Sequence, residues 1–284
     1  MSQSSQIAGR GHNIHIGCQS WGYDDWVTPI GGETVFYPSG TKHDEMLELY
    51  SRVFSTIEVD STVYGMPSVS TIEKWHEQTP PNFTFSLKMP REVTHERSLD
   101  ETTLPIVNEF VERVSPLREK LGMILIQLPG SFEAVRENAQ NLRRIVAGLP
   151  RDIRFAVEFR HAGWFNEWTY DELNENGVAL CMVEGKWVPR ELMFASLVRH
   201  EMPFAYFRFM GERDLQHFDR IYRERDETLL HWSKVIKKLQ AKEIFIYVDN
   251  YFEGHAPATV NKLNALLGLK RAEPELLEDQ PSLF

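Results

Sequence analysis

The sequence predicts an α/β fold: a closed (β/α)8, TIM-barrel-like single domain with a flexible C-terminal tail. Three observations carry this. Short apolar or alternating runs, rich in β-branched and aromatic residues, recur eight times along the chain. Segments with helical spacing of apolar residues lie between them. The length, 284 residues, is usual for such a barrel built as one domain.

The runs that read as strands are Asn13–Gln19, Thr56–Ser61, Phe83–Met89, Met123–Leu128, Arg154–Phe159, Val178–Val183, Ala205–Phe209 and Glu243–Asp249. Between them, Met46, Leu47, Leu49, Tyr50, Val53 and Phe54 share one helical face, as do Leu229, Trp232, Ile236 and Leu239, and later Val260, Leu263 and Leu267. Capping-box spacings mark expected helix starts at Thr41 with Asp44, Ser70 with Glu73, Ser98 with Glu101, and Thr169 with Glu172. Alternation of strand and helix implies a parallel sheet, and eight repeats imply closure. No internal repeat or Gly/Ser-rich linker divides the chain. Residues 1–12 read as a flexible N-terminus, residues 13–268 as the barrel and residues 269–284 as an acidic flexible tail. The long first loop, Trp21–Gly40, lies at the barrel end where loops build or cover a site.

The composition, 42% hydrophobic and 25% charged, is that of a globular domain. A net charge of −10 argues against a large basic face for nucleic acid, while leaving a local basic pocket and direct nucleic-acid binding open. No apolar run is long enough to span a bilayer, and Met1–Asn13 lacks the apolar stretch of a signal peptide, so a cytoplasmic location is expected. Cys18 and Cys181 form no C-x-x-C pair, which leaves a zinc or redox motif unsupported.

The informative feature is where polar residues interrupt the strands. Side chains alternate with period two, so I-E-V-D places Glu58 and Asp60 on one side of the second strand. The fifth strand likewise pairs Glu158 with Arg160, the third Lys88 with Ser86, and the seventh Arg208 with Tyr206. The fourth ends with Gln127, and the eighth with Asp249 and Asn250. All lie toward the C-terminal strand ends, the catalytic face of (β/α)8 enzymes. Compensated structural ion pairs would explain any one of them. As a set they point to a site, because buried charges cost desolvation and seldom stabilise better than apolar packing. His95, His161 and His255 follow the third, fifth and eighth strands, and Trp21, Trp26, Tyr64 and Trp164 sit in or beside the same loops. The aromatics read either as packing or as a stacking wall for a ring.

At these residues the chain resembles the YecE-like family, domain of unknown function 72. The marks are I-G-C-Q-S-W near the start, F-S-T-I-E-V-D-S-T-V-Y-G-M-P-S, W-H-E-Q-T-P-P-N-F-T-F-S-L-K, F-A-V-E-F-R-H-A-G-W, A-Y-F-R-F-M-G and D-N-Y-F-E-G-H-A-P, spread over approximately Ile14 to Gly268. The chain departs where the family usually has asparagine, at Asp60 and Asp249, and phenylalanine, at Val63. The resemblance implies a TIM-barrel-like fold and a pocket around Glu58, Lys88, Gln127, Glu158, Arg160, Arg208 and Asn250. It supplies no reaction, and fold alone cannot fill that gap.

The function expected from the residues is an enzyme acting on a small polar or anionic substrate, a sugar or phosphorylated metabolite. Lys88, Arg160 and Arg208 would hold the anion, and Glu58 and Glu158 would be the catalytic acid/base pair. Asp60, Tyr64, Gln127, His161 and Asn250 would complete substrate binding. Hydrolase or isomerase/lyase-type chemistry is favoured. No cofactor is expected; a divalent metal, if used, would take Glu58, Asp60, Glu158 and Asp249 with a histidine. The alternative is a phosphodiester hydrolase resembling endonuclease IV, recruited to a sliding clamp. Its support is the ending Gln280-Pro281-Ser282-Leu283-Phe284, which resembles the bacterial clamp-binding peptide in its glutamine and terminal Leu-Phe.

Overall fold

Eight strands, all paired in parallel, run in the ring order β1-β8-β7-β6-β5-β4-β3-β2. They are β1 (Asn13–Cys18), β2 (Thr56–Val59), β3 (Thr84–Lys88), β4 (Leu121–Gln127), β5 (Phe155–Glu158), β6 (Ala179–Glu184), β7 (Phe204–Phe209) and β8 (Glu243–Val248). The helices are α1 (Met46–Val53), α2 (Val69–Gln78), α3 (Thr103–Val114), α4 (Arg136–Gly148), α5 (Glu167–Asn176), α6 (Arg190–Arg199), α7 (Asp226–Ile236), α8 (Asn250–Glu253) and α9 (Ala256–Leu267). This is a computed structural model, and it describes residues 13–199, 204–272 and Leu277, with no side-chain account of residues 198 and 199. The expected flexible N-terminus, residues 1–12, lies outside them. The fold is the TIM-barrel-like α/β domain that the sequence predicts. No helix among the described residues is long and apolar enough to cross a membrane.

The strands form because their residues suit burial on both faces: Leu121–Gln127 reads L-G-M-I-L-I-Q and is buried from Gly122 onward. Helix starts differ from the capping-box expectation. The side chain that caps α2 is Ser68, accepting from Thr71 N–H at 3.1 Å, and α5 is capped by Asn166, accepting from Thr169 N–H at 3.0 Å. Ser70 and Thr169 therefore lie inside the first turn. Glu45 and Thr102 precede α1 and α3 without a side-chain cap bond. A Ser/Thr-x-x-acid spacing recurs within amphipathic helices by composition, so an earlier Ser or Asn with extended backbone takes the cap. Packing continues past Gly268: Ala272 exchanges two hydrogen bonds with Asn261, at 2.8 and 2.9 Å, and Leu277 is buried.

The barrel closes between β1 and β2 through a single bridge, Gln19 to Glu58, with Ser20 N–H donating to the Glu58 carbonyl at 2.8 Å. Below it the Tyr50 hydroxyl fills the gap, accepting from Cys18 N–H at 2.8 Å and donating to the Thr56 carbonyl at 3.0 Å. Gly17 is needed here, because a Cβ at that position would overlap the Thr56 carbonyl.

Inside the barrel the side chains stack in layers, as closure of eight strands requires. The N-terminal end is plugged by His15 stacked on Phe245 at 4.8 Å and by the Arg154–Glu243 ion pair at 2.7 Å. The middle layer is hydroxylic: Tyr247 meets Thr56 at 2.7 Å and Ser86 at 2.8 Å. The top layer is charged.

Candidate active site

The strand ladders stop one or two residues short of their sequence-predicted ends at β1, β2 and β8. The chain turns there, and the side chains of Gln19, Asp60 and Asp249 line a pocket. Ser20 takes a left-handed conformation, φ 62°, at the first of these turns.

Four charged side chains form the floor. Arg208, fully buried, lies between two fully buried glutamates. Its Nε and Nη2 donate to Glu58 Oε1 at 3.2 and 2.9 Å, and its Nη1 donates to Glu158 Oε2. The Tyr206 hydroxyl donates to Glu58 Oε2 at 2.6 Å, and Arg160 Nε donates to Glu158 Oε1 at 2.7 Å. Every carboxylate oxygen of both glutamates thus carries a donor. Burial opposes ionisation of Glu158, but the charges of Arg208 and Arg160 win and bring its carboxyl down to about 2.

Above this floor is a pocket of about 350 Å³. From β2, β3, β4 and β5 it is lined by Asp60, Tyr64, Lys88, Gln127 and Arg160. Loops add Tyr23, Arg91, His95, Arg213, Asp249 and Tyr251. Lys88 Nζ lies 2.5 Å from Asp60 Oδ1 and 3.8 Å from Glu58 Oε1, tying floor to wall. Burial would push Asp60 up, but Lys88 and Arg208 hold it below the usual carboxylate range. Asp249 has no ion-pair partner among the described residues: burial first, then the charge of Asp60, outweigh the more distant Arg208 and Lys88 and push its carboxyl up to about 6. Its Oδ1 accepts from Tyr251 N–H at 3.3 Å, which also caps α8.

Arg160 is fixed on three sides. Besides the Glu158 bond, its Nη2 donates to Gln127 Oε1 at 3.1 Å, and the Trp187 ring lies 3.7 Å from the guanidinium carbon. His95 stands beside it, with Thr94 Oγ1 at 2.8 Å from Nδ1. Burial, and then the charges of Arg160 and Arg91, lower its pKa, so the imidazole is neutral at pH 7.

The structure gathers Glu58, Lys88, Gln127, Glu158, Arg160 and Arg208 at one end of the barrel, with Asp60 and Asp249 above them. Tyr64 is 73% exposed at the rim. Asn250 is fully buried beside Asp249, its Oδ1 accepting from Ala256 N–H at 2.9 Å. His161 does not line the pocket; its Nδ1 accepts from Gly163 N–H at 3.2 Å and caps a short turn. Trp26 and Trp164 are buried packing, Trp164 stacked on Phe132 and Phe159. Among the described residues no three His, Cys, Asp or Glu side chains gather as a metal-holding group. The four carboxylates grouped above as a metal set are instead interleaved with Lys88, Arg160 and Arg208. The tail residues Gln280, Leu283 and Phe284 lie outside the described residues.

Residues 15–283 match the family model described as protein of unknown function DUF72. The chain belongs to the DUF72 family. The UPF0759 protein YecE of Escherichia coli K12 is 29% identical over 295 aligned residues, covering 95% of this chain and 100% of YecE. YunF of Bacillus subtilis is 25% identical, covering 90% of this chain and 95% of YunF. A DUF72 crystal structure from Thermotoga maritima superposes with a TM-score of 0.73 at 26% identity, over 90% of this chain and 99% of that one.

The reading of strand residues alone misses several members of this DUF72 pocket. Arg91, Arg213, Tyr23 and Tyr251 stand three to five residues past strand ends, where no strand periodicity fixes direction. Trp187, behind Arg160, lies in the β6–α6 loop. The signal that would find the arginines is a cation in the first turn after a strand, a position that faces the mouth in this fold.

Proposed function

We propose that this DUF72 protein is an enzyme that binds a small anionic substrate at Arg160 and moves a proton with Asp249. The observation that carries the reading is Arg160 itself. It is locked by Glu158, Gln127 and Trp187, yet among the described residues its Nη1 has no protein partner and it lines the pocket. A rigid guanidinium with a free edge is suited to a carboxylate or phosphate. Arg213 lines the same pocket and is paired with no acidic side chain among the described residues. A volume near the lower end of small-molecule sites, roughly 300–1,000 Å³, suits a compact ligand.

The proton-transfer role passes from the two glutamates to Asp249. Glu58 and Glu158 are saturated with donors and lie beneath the pocket lining, so neither presents a free oxygen to a substrate. They hold Arg208, and Glu158 also holds Arg160. Asp249 lines the pocket, and a carboxyl near 6 changes charge close to neutral pH, as a general acid or base requires. The test is thermal unfolding of the full chain in inorganic phosphate or sulfate. Wild type should melt higher as the anion concentration rises, and Arg160→Ala should lose that dependence while remaining folded. An equal rise in both proteins would overturn the assignment.

A further inference from the structure

The charges lining the pocket fall largely into two groups around the ring, with Arg213 after β7 as the exception: it lies close enough to Asp60 to help lower its carboxyl. The ends of β3, β4 and β5 present Arg91, Gln127 and Arg160, all donors. The ends of β8 and β2, which flank β1, present Asp249 and Asp60, both acceptors. In a ring of eight, β8 and β2 each lie three strands from β5, so Asp249 and Asp60 stand across the mouth from Arg160, while Asp60 also neighbours Lys88 of β3. On the donor side Arg160 keeps its Nη1 unpaired among the described residues. On the acceptor side Asp60 engages Lys88 through Oδ1, and Asp249 engages Tyr251 N–H through Oδ1. Each of these carboxylates keeps its other oxygen free of a protein donor among the described residues.

We infer that the substrate is a polyhydroxylated small anion of monosaccharide size, with its phosphate or carboxylate on Arg160 and its hydroxyls on Asp60 and Asp249. The inference rests on the anion-binding reading above. A purely anionic ligand leaves the acceptor side facing it with like charge, which is unfavourable at this range. The acceptor side therefore requires donors from the ligand. An ammonium group there would meet Lys88, which already sits 2.5 Å from Asp60. Neutral hydroxyls carry no such repulsion and satisfy the free carboxylate oxygens. The pocket volume, about 350 Å³, sets the size.

Calorimetric titration of the full chain tests this with four probes: ribose 5-phosphate, gluconate, inorganic phosphate and ribose. Wild type should bind ribose 5-phosphate or gluconate at least about tenfold more tightly than inorganic phosphate, the gain expected from a hydrogen bond to a charged group. Comparing the first two probes tells phosphate from carboxylate. Asp249→Asn should bind inorganic phosphate no more weakly than wild type, since a negative charge leaves the pocket, while the hydroxylated probes lose most of their advantage. Asp60→Asn provides a second variant with the same expectation, and the melting temperature of each free variant reads its folding. If inorganic phosphate binds wild type as tightly as the hydroxylated probes, or the advantage survives both substitutions, the inference fails and the anion reading stands. If no anion binds wild type, both fail.

Discussion

Gly211 packs against Tyr251 so closely that a Cβ at position 211 would overlap the Tyr251 carbonyl oxygen and the Phe252 amide. The contact joins the loop after β7 to the loop after β8, and both carry pocket residues, Arg213 and Tyr251. Phe218 completes the join, edge-on to Tyr251 at 4.9 Å and to Tyr23 at 5.7 Å.

Gly211→Ala is expected to displace the β8–α8 turn, because both overlapping groups are backbone and cannot rotate away. A loss of about 1–3 kcal/mol is the usual scale for forced overpacking. Denaturant unfolding measures it. Anion affinity should fall with it, since the same overlap displaces Arg213 in the loop that carries Gly211. An unchanged midpoint would show that the two loops separate freely.

Arg208 neutralises two carboxylates that have no access to water. Arg208→Met should cost at least about 3–5 kcal/mol, the scale for stranding a buried charge. The stranded glutamates would take up protons, so this variant should gain stability on acidification from pH 7 to pH 5 relative to wild type. The triple variant Glu58→Gln/Glu158→Gln/Arg208→Met should recover much of the loss. Equal stability of the single and triple variants would show that the carboxylates are not what Arg208 supports.

Asp249 sets a pH dependence of opposite sign to that of Glu158. Its folded carboxyl, raised to about 6, lies above its unfolded value, so the folded state binds more protons in between. Its favourable contribution is complete below about pH 4 and is lost as pH rises to about 6. Asp249→Asn, which retains the α8 cap, should therefore be more stable than wild type at pH 7.5 by an amount on the order of 2–3 kcal/mol. The difference should shrink toward zero at pH 4. Paired melts across that range check the sign; a difference that grows on acidification would exclude it.

Trp187 touches the proposed ligand site only through Arg160. Trp187→Ala should weaken phosphate binding by about 1 kcal/mol, the scale of a partly desolvated cation–π contact, with little loss of fold stability. Trp187→Phe should restore part of it. Titration of the two variants with phosphate distinguishes this positioning role, because simple loss of packing would lower the melting temperature without changing affinity.

The sequence by itself determined the barrel and the side of each strand that faces inward. Strand periodicity is local: T-F-S-L-K fixes Ser86 relative to Lys88, and Y-F-R-F fixes Tyr206 relative to Arg208, whatever the rest of the chain does. That was enough to put the charged residues at one end of the barrel. Tertiary structure alone decided who neutralises whom. Glu58 meets Tyr206 and Arg208 across some 150 residues of chain, and no local spacing encodes that encounter. Read from sequence, Glu58 and Glu158 look like a free acid/base pair; in the closed ring Arg208 lies between them and bonds both. Asp249 reads as one more strand-end acid, and only burial beside Asp60 singles it out. Arg91, Arg213 and Trp187 lie outside the strands and long helices, and Tyr251 in the single turn of α8, where direction is set by what each packs against. The period of a strand is a property of its own backbone, whereas desolvation and charge pairing belong to neighbours that only the closed ring brings together.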